Sequence, residues 1–133
     1  MSQENVEVVR RSIDAYSRGD LEGVLETIAP EFEMRPSGRF GDTARVYRGR
    51  QGWVDFWNTF QAAWEHITIN IERLEDLDDR VLTLGTMHGS GRGSGVGVEA
   101  EAAWLHTVKD GLVVDLRTFA SWTEALEAAG LRE

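Results

Sequence analysis

The sequence predicts an α+β domain in which helices come first and a run of strands follows. Apolar residues recur at three- and four-residue spacing near the start, and they alternate with polar residues at every second position after residue 66. Turn-forming residues separate the alternating stretches. This order favours helices packed on one face of a mostly antiparallel sheet. Because 133 residues are typical of one domain, we expect a single domain over residues 1–133.

Two amphipathic helices open the chain. Residues 3–18 carry an apolar stripe and end at Gly19, a typical C-terminal stop. Asp20 is placed to cap a second, shorter helix, which we expect to include Ile28 and to end at Pro30. The tight connection predicts a helix hairpin.

A short strand and a third helix follow. Phe32 and Met34 alternate with charged residues, and Pro36 begins a polar loop. After Gly49 the aromatic residues fall on one helical face. This aromatic stripe comprises Trp53, Phe56, Trp57, Phe60 and Trp64.

Four strands and a last helix complete the predicted domain. The first strand runs from His66 to a turn at residues 78–79, and the others cover about residues 80–88, 98–108 and 112–120. Ser121 begins a capping-box pattern, and the last helix is predicted to end at Gly130.

Turn positions predict which side chains share a face of the sheet. A three-residue turn at 109–111, and a glycine-rich turn centred near Gly93, would place even-numbered residues of the last three strands on one inner face. The predicted inner face comprises Leu82, Leu84, Thr86, His88, Ala100, Ala102, Trp104, His106, Leu112, Val114, Leu116 and Thr118. The outer face then mixes apolar residues with charge pairs and suits solvent or a second subunit.

Two histidines on that inner face are the candidate catalytic residues. His88 and His106 titrate near neutral pH and could act as general acid or base, with Thr86 or Thr118 orienting a ligand oxygen. The alternative is a pair of core histidines hydrogen-bonded to backbone carbonyls.

A cleft is expected where the small inner-face residues Ala100 and Ala102 meet the aromatic helix, unless the indoles fill that space. The candidate ligand-binding residues are Tyr16, Met34, Trp57, Phe60, Thr86, Trp104, Leu116 and Thr118.

Composition excludes several other classes of function. The chain has no cysteine, no histidine pair at metal-binding spacing, and no phosphate-binding glycine motif, so we expect no metal and no cofactor. A net charge of -9 disfavours nucleic acid and anionic lipid as partners. No apolar stretch approaches the roughly 20 residues of a membrane span, and the start lacks a secretory signal, so we expect a cytoplasmic location.

Three segments resemble the NTF2-like superfamily, in particular its small SnoaL-like and ketosteroid-isomerase-like proteins. They read ENVEVVRRSIDAYSRGDLEGVLETIAPEFEMRP, YRGRQGWVDFW and VKDGLVVDLRTF. The resemblance implies a cone in which a strongly bent, antiparallel or mixed sheet packs against the helix hairpin and the third helix, with a pocket at its open end. It also implies a homodimer formed through the outer sheet face, where Leu105 and Phe119 are expected.

The resemblance does not carry over the family's acids. Ketosteroid isomerases have an aspartate just before the proline of the first strand's turn, where this chain has Arg35, and a second carboxyl group at about Trp104. Polyketide cyclases have an aspartate at about Thr118, and Asp115 is expected on the other face.

The resulting hypothesis is a pocket protein that binds a small apolar molecule, with cofactor-independent proton transfer as its chemistry if it is an enzyme. The alternative is a noncatalytic ligand-binding or dimerisation module. An adaptor that uses its acidic outer face is a third interpretation.

Overall fold

The computed structural model describes residues 2–37 and 45–131. The helices and strands are α1 (Ser2–Ser17), α2 (Leu21–Leu25), β1 (Ile28–Arg35), β2 (Tyr47–Arg48), α3 (Gly49–Ala63), β3 (Trp64–Leu77), β4 (Arg80–Gly91), β5 (Gly97–Lys109), β6 (Leu112–Phe119) and α4 (Trp122–Ala129). The six strands form one curled, unclosed sheet in the order β2-β1-β6-β5-β4-β3. The predicted α+β class is confirmed, and the sheet is mixed because β1 runs parallel to β6.

The N-terminal hairpin is shorter than its apolar pattern predicts. Asp20 caps α2 by accepting a hydrogen bond from the Gly23 N–H at 2.9 Å, as expected. However, Ile28 begins β1, and Pro30 lies inside that strand rather than ending a helix. Proline is tolerated there because the pairing of β1 with β6 shifts register between Ile28 and Glu33, where a ladder hydrogen bond is not required.

The aromatic helix α3 packs on the sheet through its buried stripe. Trp53 stacks on Phe56 with ring centroids 5.1 Å apart, and Phe56 stacks on Phe60 at 5.6 Å. Trp64 was predicted to extend this stripe, but it is already the first residue of β3. The helix therefore turns directly into the edge strand.

The predicted register holds on one side of β5 and is wrong on the other. Trp104 lies opposite Thr118 on β6, so even-numbered residues share a face from there to the pair Thr107–Asp115. The pairing then shifts by one residue, so the buried Val113 lies beside Val108 on the inner face, where Leu112 and Val114 were predicted. On the β4 side, Trp104 lies opposite Thr83, and His88 lies opposite Glu99. Ser90 pairs with Gly97, so the glycine-rich turn is centred half a residue beyond Gly93. Because side chains alternate with a period of two, this shift puts the odd-numbered residues of β4 inside.

A second apolar layer covers the outer face of the sheet. Leu82 and Leu84 point outward, where they join Leu105 beneath helix α4. Helix α4 begins and ends as predicted, with Ser121 as N-cap and Gly130 in a left-handed conformation. Leu105 is therefore buried by the chain's own helix rather than presented to a second subunit.

Within residues 2–37 and 45–131, no helix is both long enough and apolar enough to cross a membrane.

Candidate functional site

A partly open cavity of about 70 Å³ lies between the inner face of the sheet and helices α1 and α3. Its apolar lining consists of Ile13, Met34, Phe56, Phe60, Ile69, Met87, Ala102, Ala103, Leu116 and Phe119. Its polar or amphipathic lining consists of Ser12, Tyr16, Ser37, Trp53, Trp104, His106 and Thr118. No Asp, Glu, Lys or Arg side chain is among these described lining residues.

Strand pairing brings the polar groups of β5 and β6 together. His106 lies opposite Leu116, and Trp104 lies opposite Thr118. His106 and Thr118 are therefore diagonal neighbours on one face, a relationship that places Cα atoms about 7–8 Å apart. Met34 on β1 pairs with Leu116 and extends this wall of the cavity.

His106 is a buried, neutral imidazole. Only 3% of the residue is exposed, and desolvation lowers its pKa from 6.5 to about 3. Its Nδ1 atom is fully enclosed and has no hydrogen-bond partner among the described residues. A neutral histidine has one N–H donor and one acceptor nitrogen, so His106 suits hydrogen bonding better than proton abstraction near neutral pH.

Thr118 is held by the chain that follows β1. The backbone N–H of Ser37 donates a hydrogen bond to Thr118 Oγ1 at 2.8 Å. This bond uses the hydroxyl oxygen as acceptor, which leaves the hydroxyl hydrogen available as a donor.

Three of the predicted site residues do not line the cavity. His88 is exposed on the opposite face, with its Nδ1 3.4 Å from Glu99 Oε2. Thr86 shares that face and donates a hydrogen bond to Glu72. Both follow from the shifted register of β4. Trp57 follows the cavity-lining Phe56 on α3 but does not itself line the cavity. Its ring meets the ring of Tyr16 edge-on, with centroids 5.4 Å apart.

The structure also adds residues that the sequence did not indicate. Met87 and Ile69 lie opposite each other on β4 and β3 and close one side of the cavity. Ser12 is buried on α1 and lines the cavity, although a lone serine in an amphipathic helix gives no signal of this role. Met87 would have been predicted as a lining residue if the pairing of β4 with β5 had been predicted correctly.

No cluster of three or more His, Asp or Glu side chains in the described ranges is arranged to hold a metal ion.

Comparison with known proteins places this architecture in a family. The model of the SnoaL-like domain matches residues 9–116, which is most of the chain. The chain belongs to the SnoaL-like family. Among curated proteins, none matches this SnoaL-like chain.

Solved structures share the fold of this SnoaL-like protein at low sequence identity. An NTF2-like protein of unknown function from Burkholderia pseudomallei has a TM-score of 0.80 at 19% identity, covering 93% of this chain and 95% of that one. A protein with a ketosteroid isomerase-like fold from Catenulispora acidiphila, in complex with trimethylamine, has a TM-score of 0.76 at 15% identity and covers 95% and 94%. A Mycobacterium tuberculosis protein in complex with estradiol-17beta-hemisuccinate has a TM-score of 0.75 at 19% identity and covers 90% and 95%.

Asp115, the acid nearest to the aspartate position of the polyketide cyclases, lies outside the cavity of this SnoaL-like protein. Arg35 donates a hydrogen bond to Asp115 Oδ1 at 2.6 Å and to Glu33 Oε1 at 2.8 Å. Asp115 is thus part of a surface ion-pair network rather than of the cavity wall, as the sequence predicted.

Proposed function

We propose that this SnoaL-like protein binds a small, mostly apolar molecule in the cavity between α1, α3 and the inner sheet face. The observation that carries the proposal is the character of the wall, where aromatic and aliphatic side chains surround a few polar groups. This combination is typical of ligand sites, in which apolar contact supplies affinity and a few polar groups set orientation.

The volume limits what the cavity encloses. A water needs roughly 10–15 Å³ of such space, so about 70 Å³ holds on the order of five water-sized groups. An apolar cavity of about 150 Å³ in another protein holds one benzene molecule. The unliganded cavity therefore suits a small ligand or one end of a larger ligand that extends through the opening. The complexes of two structural neighbours, with trimethylamine and with estradiol-17beta-hemisuccinate, span this range of sizes.

Binding is better supported than proton transfer. A general base works best when its pKa is near the working pH, whereas burial lowers the pKa of His106 to about 3. The described cavity wall offers no carboxylate to raise that value. Cofactor-independent proton transfer would therefore need a ligand that changes the surroundings of His106.

Titration with methylenecyclohexane tests the proposal, because the exocyclic end of this neutral hydrocarbon can enter the cavity while its ring extends through the opening. With ¹³C-labelled methionine methyl groups, saturable shifts should appear at Met34 and Met87, which line the cavity. Ala102→Leu fills space in the cavity and should weaken binding by about tenfold or more.

Ala128→Leu is the matched control, because Ala128 is exposed on α4. It should bind the probe like the wild type. Unchanged Met34 and Met87 signals, or equal effects of the two substitutions, would refute a binding site in this cavity.

The homodimer implied by the family resemblance stays a prediction. Since α4 buries Leu105, any such dimer has to use the polar part of the outer face, around His88 and Glu99. Analytical ultracentrifugation of the wild type and of a His88→Glu variant would test this surface.

A further inference from the structure

We infer that the cavity selects ligands that carry a neutral hydrogen-bond acceptor, such as a ketone, aldehyde, ester, amide or quinone oxygen, and that His106 and Thr118 together hold this oxygen. The inference rests on the proposed binding function and specifies the ligand class.

The two ring nitrogens of His106 differ in their surroundings. Nδ1 is enclosed and has no partner among the described residues, while the residue itself lines the cavity. Placing the single proton of a neutral imidazole on Nδ1 would bury a donor with nothing to receive it, and orphaned donors are rarer in proteins than under-used acceptors. The proton therefore belongs on Nε2, the nitrogen left to meet a ligand.

The hydroxyl of Thr118 is placed to donate a hydrogen bond to a ligand. Its Oγ1 accepts the Ser37 N–H at 2.8 Å, so its own hydrogen is free for another acceptor. Diagonal neighbours on one sheet face lie about 7–8 Å apart at Cα, a separation within reach of an aromatic side chain such as the imidazole of His106. One ligand oxygen can then receive hydrogen bonds from His106 and Thr118 at once.

The described lining of the cavity carries no charged side chain that could hold a charged ligand. No acidic or basic side chain lies there to pair with a ligand carboxylate or ammonium. Burying an unpaired charge costs far more than burying a hydrogen-bonded neutral oxygen. The enclosed part of the ligand is therefore neutral.

Two probes of equal size separate the hydrogen bond from shape. Cyclohexanone and methylenecyclohexane differ only in an oxygen that replaces a CH₂ group. In His106→Leu, the affinity for cyclohexanone should fall about tenfold, whereas the affinity for methylenecyclohexane should stay within about twofold. Thr118→Val should act in the same direction with a smaller loss, and it covers the case in which the histidine variant folds poorly.

His88→Leu is the matched control, because it makes the same substitution on the exposed face. It should leave both affinities unchanged. Equal losses for both probes, or no loss for cyclohexanone in either cavity variant, would overturn the inference while leaving the proposed binding function intact. Failure of both probes to bind the wild type would refute the binding function and this inference with it.

Long-range ¹H–¹⁵N spectra of the wild type give an independent test. The ring of His106 should be neutral with its proton on Nε2, and cyclohexanone should shift that resonance more than methylenecyclohexane does. A proton on Nδ1 would contradict the inference.

Discussion

Leu116 on β6 lies directly opposite His106 on β5, and both residues line the cavity. On the other side of β5, the partner of His106 is Val81, which is fully buried. Two apolar neighbours and the lack of any described ion pair leave nothing to stabilise an imidazolium. Burial is accordingly the cause of the lowered pKa of His106.

This enclosure predicts a dependence of stability on pH. In the unfolded chain His106 binds a proton below about pH 6.5, but in the folded chain its pKa is about 3. The unfolded state therefore binds more protons between these values, and stability falls as the pH is lowered. His106 alone should lower the free energy of unfolding by at most about 1.4 kcal/mol for each unit that the pH falls in this range.

Urea denaturation of the wild type and His106→Leu from pH 7.5 to 4 measures this contribution. The variant should lose less stability on acidification, and the two curves should diverge below about pH 6.5. His88→Leu is the control and should follow the wild type. Parallel curves for the wild type and His106→Leu would mean that the imidazole is not buried as neutral.

Thr83 offers a second stability test. Its hydroxyl is fully buried on β4 and has no hydrogen-bond partner in the described part of the chain. Thr83→Val keeps the shape and removes an unsatisfied polar group, so it should raise the free energy of unfolding by about 1–2 kcal/mol. Thr118→Val is the same chemical change at a hydroxyl that accepts the Ser37 N–H, and it should be destabilising. Chemical denaturation of both variants checks the opposite signs.

Gly85 has a steric role in the sheet. A Cβ atom there would lie 2.5 Å from the carbonyl oxygen of Asn70, next to the irregular pairing of β3 and β4. Gly85→Ala should therefore cost about 1–3 kcal/mol. A Cβ at Gly97 would meet nothing within 4 Å, so Gly97→Ala should change stability by less than about 0.5 kcal/mol. Similar thermal midpoints for the two variants would contradict this role.

Element types were largely predictable because periodicity reports burial on one side of a helix or strand. The long strands and α3 follow from it, and so does the cap of α4 at Ser121. The end of α2 was not predictable, because Ile28 fits the apolar stripe of a helix and also begins a strand. The two-residue strand at Tyr47–Arg48 is too short to show any alternation.

The prediction of which residues line the site depended on the exact positions of the turns between strands, and the sequence determines these positions only weakly. The turn at Asp110–Gly111 has two residues rather than the predicted three, and the register shift between Thr107 and Val108 offsets this difference. The faces of the β5–β6 pair were therefore predicted correctly beyond the shift, at His106 and Thr118, but not at Leu112 and Val114. The turn after Gly91 is rich in glycine, and several of its residues can adopt positive φ, as Gly93 and Gly95 do. Its centre is therefore not fixed by pattern alone. An error of one residue there placed His88 at the cavity and left Met87 out.

Replacing Trp122 by phenylalanine should destabilise the protein more than the same replacement at Trp57. The indole N–H of Trp122 donates a hydrogen bond to the carbonyl of Gly85 at 3.0 Å and ties α4 to β4. Trp122→Phe keeps an aromatic ring against the outer layer but leaves this buried carbonyl without that donor, at a cost of about 1–2 kcal/mol. The indole of Trp57 has no hydrogen bond to any described residue, so Trp57→Phe should cost less. The backbone N–H of Trp122 also donates a hydrogen bond to Glu101 Oε1 on β5 at 3.0 Å, and this bond is kept in the variant. Hydrogen exchange should show faster opening of α4 in the first variant only, because it loses the indole bond to β4. Equal exchange in both variants would mean that the indole bond does not hold α4 in place.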